Sequence, residues 1–110
     1  YQVLDRGGQE GNYLEASGSC MFVYSTAKGV RKGYLEAQYT ETARKGYEGI
    51  LQHFITVDEQ GLVNLNRICR VAAFDHGSDG SYQYYVRQPI VTNDFKGVGP
   101  FILASVEMEK

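Results

Sequence analysis

The chain has 110 residues, 43% hydrophobic and 22% charged, with a formal net charge of −2. That length suits one domain with a core of modest size. The near-neutral balance lacks the basic patch of a nucleic-acid binder, and no apolar run reaches the roughly 18 residues of a membrane-spanning helix. Lys28, Arg31 and Lys32, and Arg44 with Lys45, fall at helix ends or on a helix face and read as solvated. Cys20 and Cys69 are too few for a disulfide framework. Cys20 sits in an apolar helical pattern, where a buried free thiol is expected, and a Cys20–Cys69 bridge is the weaker alternative. No Cys-x-x-Cys or His-rich spacing offers a metal site, and His53 and His76 stand far apart in different surroundings. The sequence begins at Tyr1 rather than Met, which raises the expectation of a processed product, a trimmed piece or a fragment.

In chain order, "DRGGQEG" is a loop, and Asn12 is the expected cap of a first helix, with Glu15 as its capping-box partner three residues on. The helix is expected to run to Lys28 and leave at Gly29. Tyr13, Ala16, Cys20, Val23 and Ala27 share one side, Leu14, Met21, Phe22 and Tyr24 fill much of the rest, and Glu15 is the single charge between Asn12 and Lys28. A helix apolar nearly all round is buried on most sides. A second helix is expected over Leu35 to Ile55, with Leu35, Tyr39, Ala43, Gly46, Ile50 and Phe54 on one face and Glu36, Glu41, Arg44, Lys45, Glu48 and Gln52 on the other. Gly46 and Gly49 each weaken it by roughly 1 kcal/mol relative to alanine, so close packing is expected at both. The short joint from Gly29 to Tyr34 makes the two helices an antiparallel hairpin, the first internal and the second external.

Asp58 to Gly61 reads as a turn and Leu62 to Leu65 as a short strand. Arg67 to Phe74 is apolar but irregular, and "DHGSDG" is a loop. Tyr82 to Val86 is expected as a second strand pairing with the first in a small ribbon, with Tyr82 and Tyr84 on one face and Tyr85 on the other. Pro89 ends that strand or places it at an edge. The last helix is expected to begin at Pro100 behind a Gly99 cap. Phe101, Ile102, Leu103, Ala104, Val106 and Met108 cover most of its circumference, as for a second inner helix. An inner, an outer and another inner helix cannot bury themselves alone, so the chain reads as part of something larger or as self-associating.

Most chemical motifs fail on their own terms. Asp75, Gly77, Asp79 and Gly80 echo a calcium loop, but the third position is glycine and the twelfth is Val86 rather than Glu. Ser17 and Ser19 lie in a helical run of small residues, not in a nucleophile elbow. Asp58/Glu59 and Glu107/Glu109 read as solvent-facing carboxylates, whereas Glu15 and Asp94 each stand at the entrance of an apolar helix. Capping is the bland role for Glu15, and a turn or cap for Asp94. If both inner helices run the same way, Asn12, Tyr13 and Glu15 share a face with Asn93, Asp94 and Lys96. Helix N-termini there would favour an anionic ligand.

"GNYLEASGSCMFVYSTAKGVRKGYL", "KGYEGIL", "GLVNL" and "DGSYQYYVRQPIVTNDFKGVGPFILASVEME" resemble, in the same order, the C-terminal part of the unsaturated rhamnogalacturonyl hydrolases, glycoside hydrolase family 105. The resemblance implies a mainly α fold: a fragment of an (α/α)6 barrel, of about three helices with a short β-ribbon in the connection. Residues 1–110 would form one segment of a larger barrel domain. It also implies an enzyme that removes a 4,5-unsaturated galacturonyl residue from pectin-derived rhamnogalacturonan oligosaccharides. An aspartate hydrates the vinyl-ether double bond, and no metal or organic cofactor takes part. The catalytic aspartate and the Trp/Arg binding motif would lie upstream, so no catalytic residue is assigned here. Tyr13, Glu15, Tyr84, Asn93, Asp94 and Lys96 match family positions at the inner-helix ends and are the candidate substrate-binding residues. "RVAAFDHGSDG" and the Arg87-Gln88 pair depart from the family pattern. The implied partner is an unsaturated uronic-acid oligosaccharide, without nucleic acid or membrane, in a bacterial cytoplasm. Two alternatives stand beside this reading: a non-enzymatic assembly unit self-associating through exposed inner helices, and a small carbohydrate-binding module using Tyr82, Tyr84 and Tyr85.

Overall fold

In the computed structural model, described for residues 1–75 and 77–110, three long helices carry the architecture. They are α1 (Ala16–Arg31), α2 (Tyr39–Phe54) and α4 (Phe95–Met108). Between α2 and α4 lie β1 (Ile55–Val57), β2 (Val63–Leu65), β3 (Ile68–Cys69), the short α3 (Tyr82–Val86) and β4 (Ile90–Val91). A 3-10 turn, Leu4–Arg6, precedes them all.

The helix starts differ from expectation. Glu15, not Asn12, caps α1: its carboxylate accepts from the Ser17 and Gly18 amides at 3.0 and 2.8 Å. Asn12 instead staples the preceding loop, its side-chain amide donating to the Val3 and Arg6 carbonyls at 2.9 and 2.8 Å. Gly29 is buried inside the helix, where a Cβ would meet Leu35 Cδ1 at 2.9 Å, and the left-handed exit falls at Gly33, φ 76°. The second helix begins at Tyr39 rather than Leu35. The last begins at Phe95, capped by Asp94, and takes Pro100 inside it. The strong cap outweighs the proline signal, because Pro100 still lies in the second turn, where its missing N–H removes one intrahelical bond.

The connection is also rearranged. Tyr82–Val86 is a helix capped by Ser81, whose hydroxyl accepts from the Tyr84 amide, so the alternation expected of those tyrosines does not apply. The segment expected as one ribbon forms two. β1 pairs antiparallel with β2, with Ile55 opposite Leu65, and β3 pairs antiparallel with β4, with Ile68 opposite Val91 and Cys69 opposite Ile90. The Asp58–Gly61 turn forms, with the Asp58 carboxylate accepting from the Gln60 and Leu62 amides, both at 2.9 Å.

α1 and α4 pack side by side and run in the same direction. At one end, the Ala16 amide donates to the Arg67 carbonyl, and Gly97 abuts Ile68 and Leu65. At the other, Arg31 meets Glu107. α2 runs antiparallel to α1 on the outside, and the Tyr47 hydroxyl donates to Ser105 Oγ of α4 at 3.0 Å. Small residues allow this approach: Ala16 and Cys20 on α1 and Ala104 on α4 are all fully buried. Ile50 and Ile68 complete the centre, each contributing about 1.5–3 kcal/mol through burial. Gly46 meets the close packing expected of it, since a Cβ would lie 2.8 Å from Val23 Cγ2, but nothing lies within 4 Å of a Cβ at Gly49.

Glu107 corrects a further expectation. It is buried rather than solvent-facing, and Arg31 holds it with two nitrogens, Nη2 at 3.2 Å from Oε2. The Arg31 guanidinium keeps the carboxyl below the usual carboxylate range. Arg31 is therefore a structural partner at the shared C-terminal end of two parallel helices, where a cation is also favoured by the helix dipoles.

Candidate functional site

The N-terminal ends of α1 and α4 meet at the β3–β4 ribbon. Glu15 is the joint between them. Beyond capping α1, its Oε1 accepts from Ser17 Oγ at 2.7 Å and from the Cys69 amide of β3 at 3.0 Å. Tyr13 lies beneath it, 6% exposed, with no hydrogen-bond partner for its hydroxyl among the described residues. Burial, then the neighbouring Cys69 thiol and the Glu15 carboxylate, push that hydroxyl above the ordinary phenol range. Burial likewise pushes the Cys20 thiol up to about 12, with the Glu15 charge adding to it. Both cysteines are free, and Cys20 is the inert buried thiol the sequence implied.

Across the ribbon, Asn93 takes a left-handed backbone, φ 59°. Asparagine tolerates this conformation, and here its side chain replaces a missing strand neighbour. Its Oδ1 accepts from the Leu65 amide, its amide donates to Asn64 Oδ1, both at 2.8 Å, and its own N–H donates to the Leu65 carbonyl. Asp94 then caps α4 through the Lys96 amide at 2.9 Å, and the Lys96 ammonium returns to the same oxygen at 2.7 Å. Lys96 holds the Asp94 carboxyl well below its ordinary value, so Asp94 is a carboxylate at neutral pH and a poor proton donor.

Tyr84 sits apart from these two groups, on α3. Its hydroxyl accepts from the Ala73 amide at 3.0 Å and donates to the Ala73 carbonyl at 2.7 Å. Tyr82 reaches the other way and donates to the Glu10 carbonyl at 2.7 Å. The fold thus brings Tyr13 and Glu15 together at Cys69 of β3, and Asn93, Asp94 and Lys96 together between β4 and α4, where Asn93 meets Asn64 and Leu65. Tyr84 braces the loop alongside. Tyr13 and Glu15 are buried, whereas Asn93 and Lys96 reach solvent. Every one of the six except Tyr13 has a side-chain hydrogen bond within the chain.

The sequence did not single out Cys69 as the ribbon partner of Glu15, because that contact joins residues 54 apart. It also missed the cleft between the Gln9–Gly11 turn and α3, since the turn and α3 are joined through a side chain from a segment expected to be a strand. Among the described residues no cluster of His, Cys, Asp or Glu could hold a metal ion; His76 lies outside the described residues. Among the described residues no helix is long and apolar enough to cross a membrane.

This geometry has close counterparts. Residues 1–110 match the model of Glycosyl Hydrolase Family 88. A solved glycoside hydrolase from family 105, from C. acetobutylicum ATCC 824, superposes on 99% of the chain with a TM-score of 0.95 and 54% identity, and the match takes in 31% of that protein. Protein Atu3128 of Agrobacterium fabrum (strain C58 / ATCC 33970) is 38% identical over 115 residues, 96% of this chain and 49% of that protein. The 24.9 kDa protein in the picA locus of Rhizobium radiobacter matches with the same identity and coverage. The chain spans about half the length of these curated relatives and less than a third of the solved structure. Its three long helices are a segment of an (α/α)6 barrel, and by family model and structural likeness together the chain belongs to the glycoside hydrolases of the family 88/105 type.

Proposed function

We propose that the protein carrying this segment is an unsaturated rhamnogalacturonyl hydrolase, and that the segment forms the C-terminal part of its barrel. The observation that carries the reading is the superposition on a family 105 glycoside hydrolase along almost the whole chain. Exposed apolar side chains fit it as well. Met21 and Phe22 of α1, and Ile102, Leu103 and Val106 of α4, are 47 to 60% exposed here, as expected of faces that further helices of a barrel would cover.

In this reading the substrate is a rhamnogalacturonan oligosaccharide ending in a 4,5-unsaturated galacturonyl residue. An upstream aspartate delivers a proton to C4 of the vinyl ether, and water, deprotonated in turn, adds at C5. The resulting C5 hemiketal opens to a 5-ketone and a hemiacetal at C1, and collapse of that hemiacetal to the aldehyde releases the remaining sugar chain as an alcohol, with no glycosyl-enzyme. The segment supplies wall rather than catalyst. Asn93, Asp94 and Lys96 offer polar contacts at the entrance of α4, Tyr84 borders it, and Tyr13 and Glu15 hold the floor. Lys96 is the one cation among the six and suits a uronate carboxylate. The relatives from Agrobacterium fabrum and Rhizobium radiobacter support a bacterial source, and we place the enzyme in the cytoplasm with its oligosaccharide substrate as partner.

The test is loss of double-bond absorbance when the full-length protein meets an unsaturated rhamnogalacturonan disaccharide. Turnover is expected from the full-length protein and none from the 110-residue polypeptide alone. Clear turnover by the isolated segment would refute the placement of catalysis upstream. Absence of turnover by the full-length protein would refute the substrate.

A further inference from the structure

We propose that the cleft between the Gln9–Gly11 turn and α3 is a second sugar subsite, which takes a uronate residue of the oligosaccharide beyond the one that reacts, with Arg87 binding its carboxylate. The proposal rests on the hydrolase reading above for the nature of the chain that passes through it. The cleft measures about 560 Å³, within the range of about 300–1,000 Å³ usual for small-molecule sites. Gln9, Glu10, Tyr82, Gln83 and Arg87 line it with Gly11.

Its walls are fixed to each other. The Tyr82 hydroxyl donates to the Glu10 carbonyl at 2.7 Å, with the Gln9 carbonyl at 3.3 Å. Gly11 has φ +85° and lies so near α3 that a Cβ there would sit 3.4 Å from Val86 Cγ2. Asn12 ties the base of the turn to Val3 and Arg6. The cleft is therefore a shaped groove across two segments 72 residues apart at the tyrosine contact.

Its chemistry selects the ligand. Arg31, Arg44, Lys45, Lys96 and Lys110 have carboxylate partners; Arg87, like Lys28, Lys32, Arg67 and Arg70, has no ion pair among the described residues, and of these five it is the one that lines the cleft, where it is exposed. A guanidinium fork matches a carboxylate with two parallel hydrogen bonds. The Gln9 and Gln83 amides offer donors and acceptors, and the Glu10 carboxylate accepts from hydroxyls. One anionic group surrounded by several hydroxyls satisfies that set, and a uronate sugar is such a group. The location fits an extended chain: Gly11 leads directly into the Tyr13–Glu15 entrance, and Arg87 leads through β4 to Asp94.

The experiment uses the full-length protein and its Arg87→Ala, Arg87→Lys and Lys45→Ala variants, the last on the outer face of α2. Turnover of an unsaturated disaccharide and of an unsaturated tetrasaccharide gives a preference ratio. Arg87→Ala is expected to lower the tetrasaccharide preference about 10- to 100-fold, through KM, with partial recovery in Arg87→Lys and none of this in Lys45→Ala. An unchanged ratio overturns the subsite. A parallel calorimetric titration with a saturated rhamnogalacturonan tetrasaccharide reads binding without turnover. A 10-fold or greater weakening in Arg87→Ala supports the cleft even if no substrate is hydrolysed, in which case the hydrolase reading alone falls. Equal affinity in wild type and Arg87→Ala, or no binding to either, overturns the cleft whatever the turnover shows.

Discussion

Replacing Glu15 with alanine removes the cap of α1 and its tie to β3 in one step. The carboxylate accepts from the Ser17 amide and hydroxyl, the Gly18 amide and the Cys69 amide. Loss of an N-cap costs about 1 kcal/mol, within a range of 0.5–2. A partly buried amide left without an acceptor costs about 1–3 kcal/mol, and Cys69 is half-buried, so the lower part of that range applies. Together these give about 2–3 kcal/mol for Glu15→Ala. Glu15→Gln separates the two roles. Its carbonyl can replace Oε1 for Ser17 and Cys69, but its amide then faces the Gly18 N–H donor to donor, for a loss of about 1 kcal/mol. Urea unfolding followed by far-UV circular dichroism measures the difference, and hydrogen exchange at the Ser17, Gly18 and Cys69 amides locates it. Exchange should quicken at all three in the alanine variant and chiefly at Gly18 in the glutamine variant. Equal destabilisation by the two variants, or less than about 0.5 kcal/mol from alanine, would show that the joint is not what holds α1 to the ribbon.

Gly97→Ala places a Cβ 2.6 Å from Ile68 Cδ1, and Ile68 is fully buried; overpacking of about 1–3 kcal/mol should outweigh the helix gain of about 1 kcal/mol and lower the urea midpoint. Gly49→Ala meets no neighbour within 4 Å and should raise the stability by about 0.5–1 kcal/mol, and the urea midpoint with it; a loss there would reveal a close neighbour at the outer face. Glu107 has a depressed pKa because Arg31 bonds its carboxyl, so its stabilisation is complete above the unfolded value of about 4.3 and is lost as pH falls through the lower folded value. Unfolding titrations across that acid range should therefore fall more steeply for wild type than for Glu107→Gln, and parallel curves would contradict the pairing. Arg31→Ala, which strands a buried carboxylate, should destabilise more than Arg44→Ala, whose partners Glu41 and Glu48 are exposed. Tyr84→Phe should speed hydrogen exchange at Ala73, where the hydroxyl is both donor and acceptor, with about 1 kcal/mol of local loss.

The inner, outer, inner order of the three long helices was legible in the sequence because burial writes itself into periodicity. α1 and α4 are apolar nearly all round and α2 has one charged face, and the family motifs placed the whole in an (α/α)6 barrel. Asp94 was legible only as a turn or cap, because the Gly99-Pro100 pair placed the helix start five residues after Phe95, where it begins. Tertiary structure decided what local signals left balanced. Tyr82–Val86 has the rings of a strand, yet Ser81 caps it as a helix, and Tyr82 and Tyr84 lock it to Glu10 and Ala73. Asn12 and Glu15 both suit a helix start; Glu15 takes the cap and also accepts from the Cys69 amide, while Asn12 is engaged with the Val3 and Arg6 carbonyls. Glu107 looked solvent-facing until Arg31, at the end of a parallel neighbour, made its burial affordable in electrostatic terms. Apart from the local Ser81 cap and the nearby Ala73, the deciding partners lie far along the chain. A local sequence window holds a residue's own propensity but not the donor or acceptor that folding brings to it.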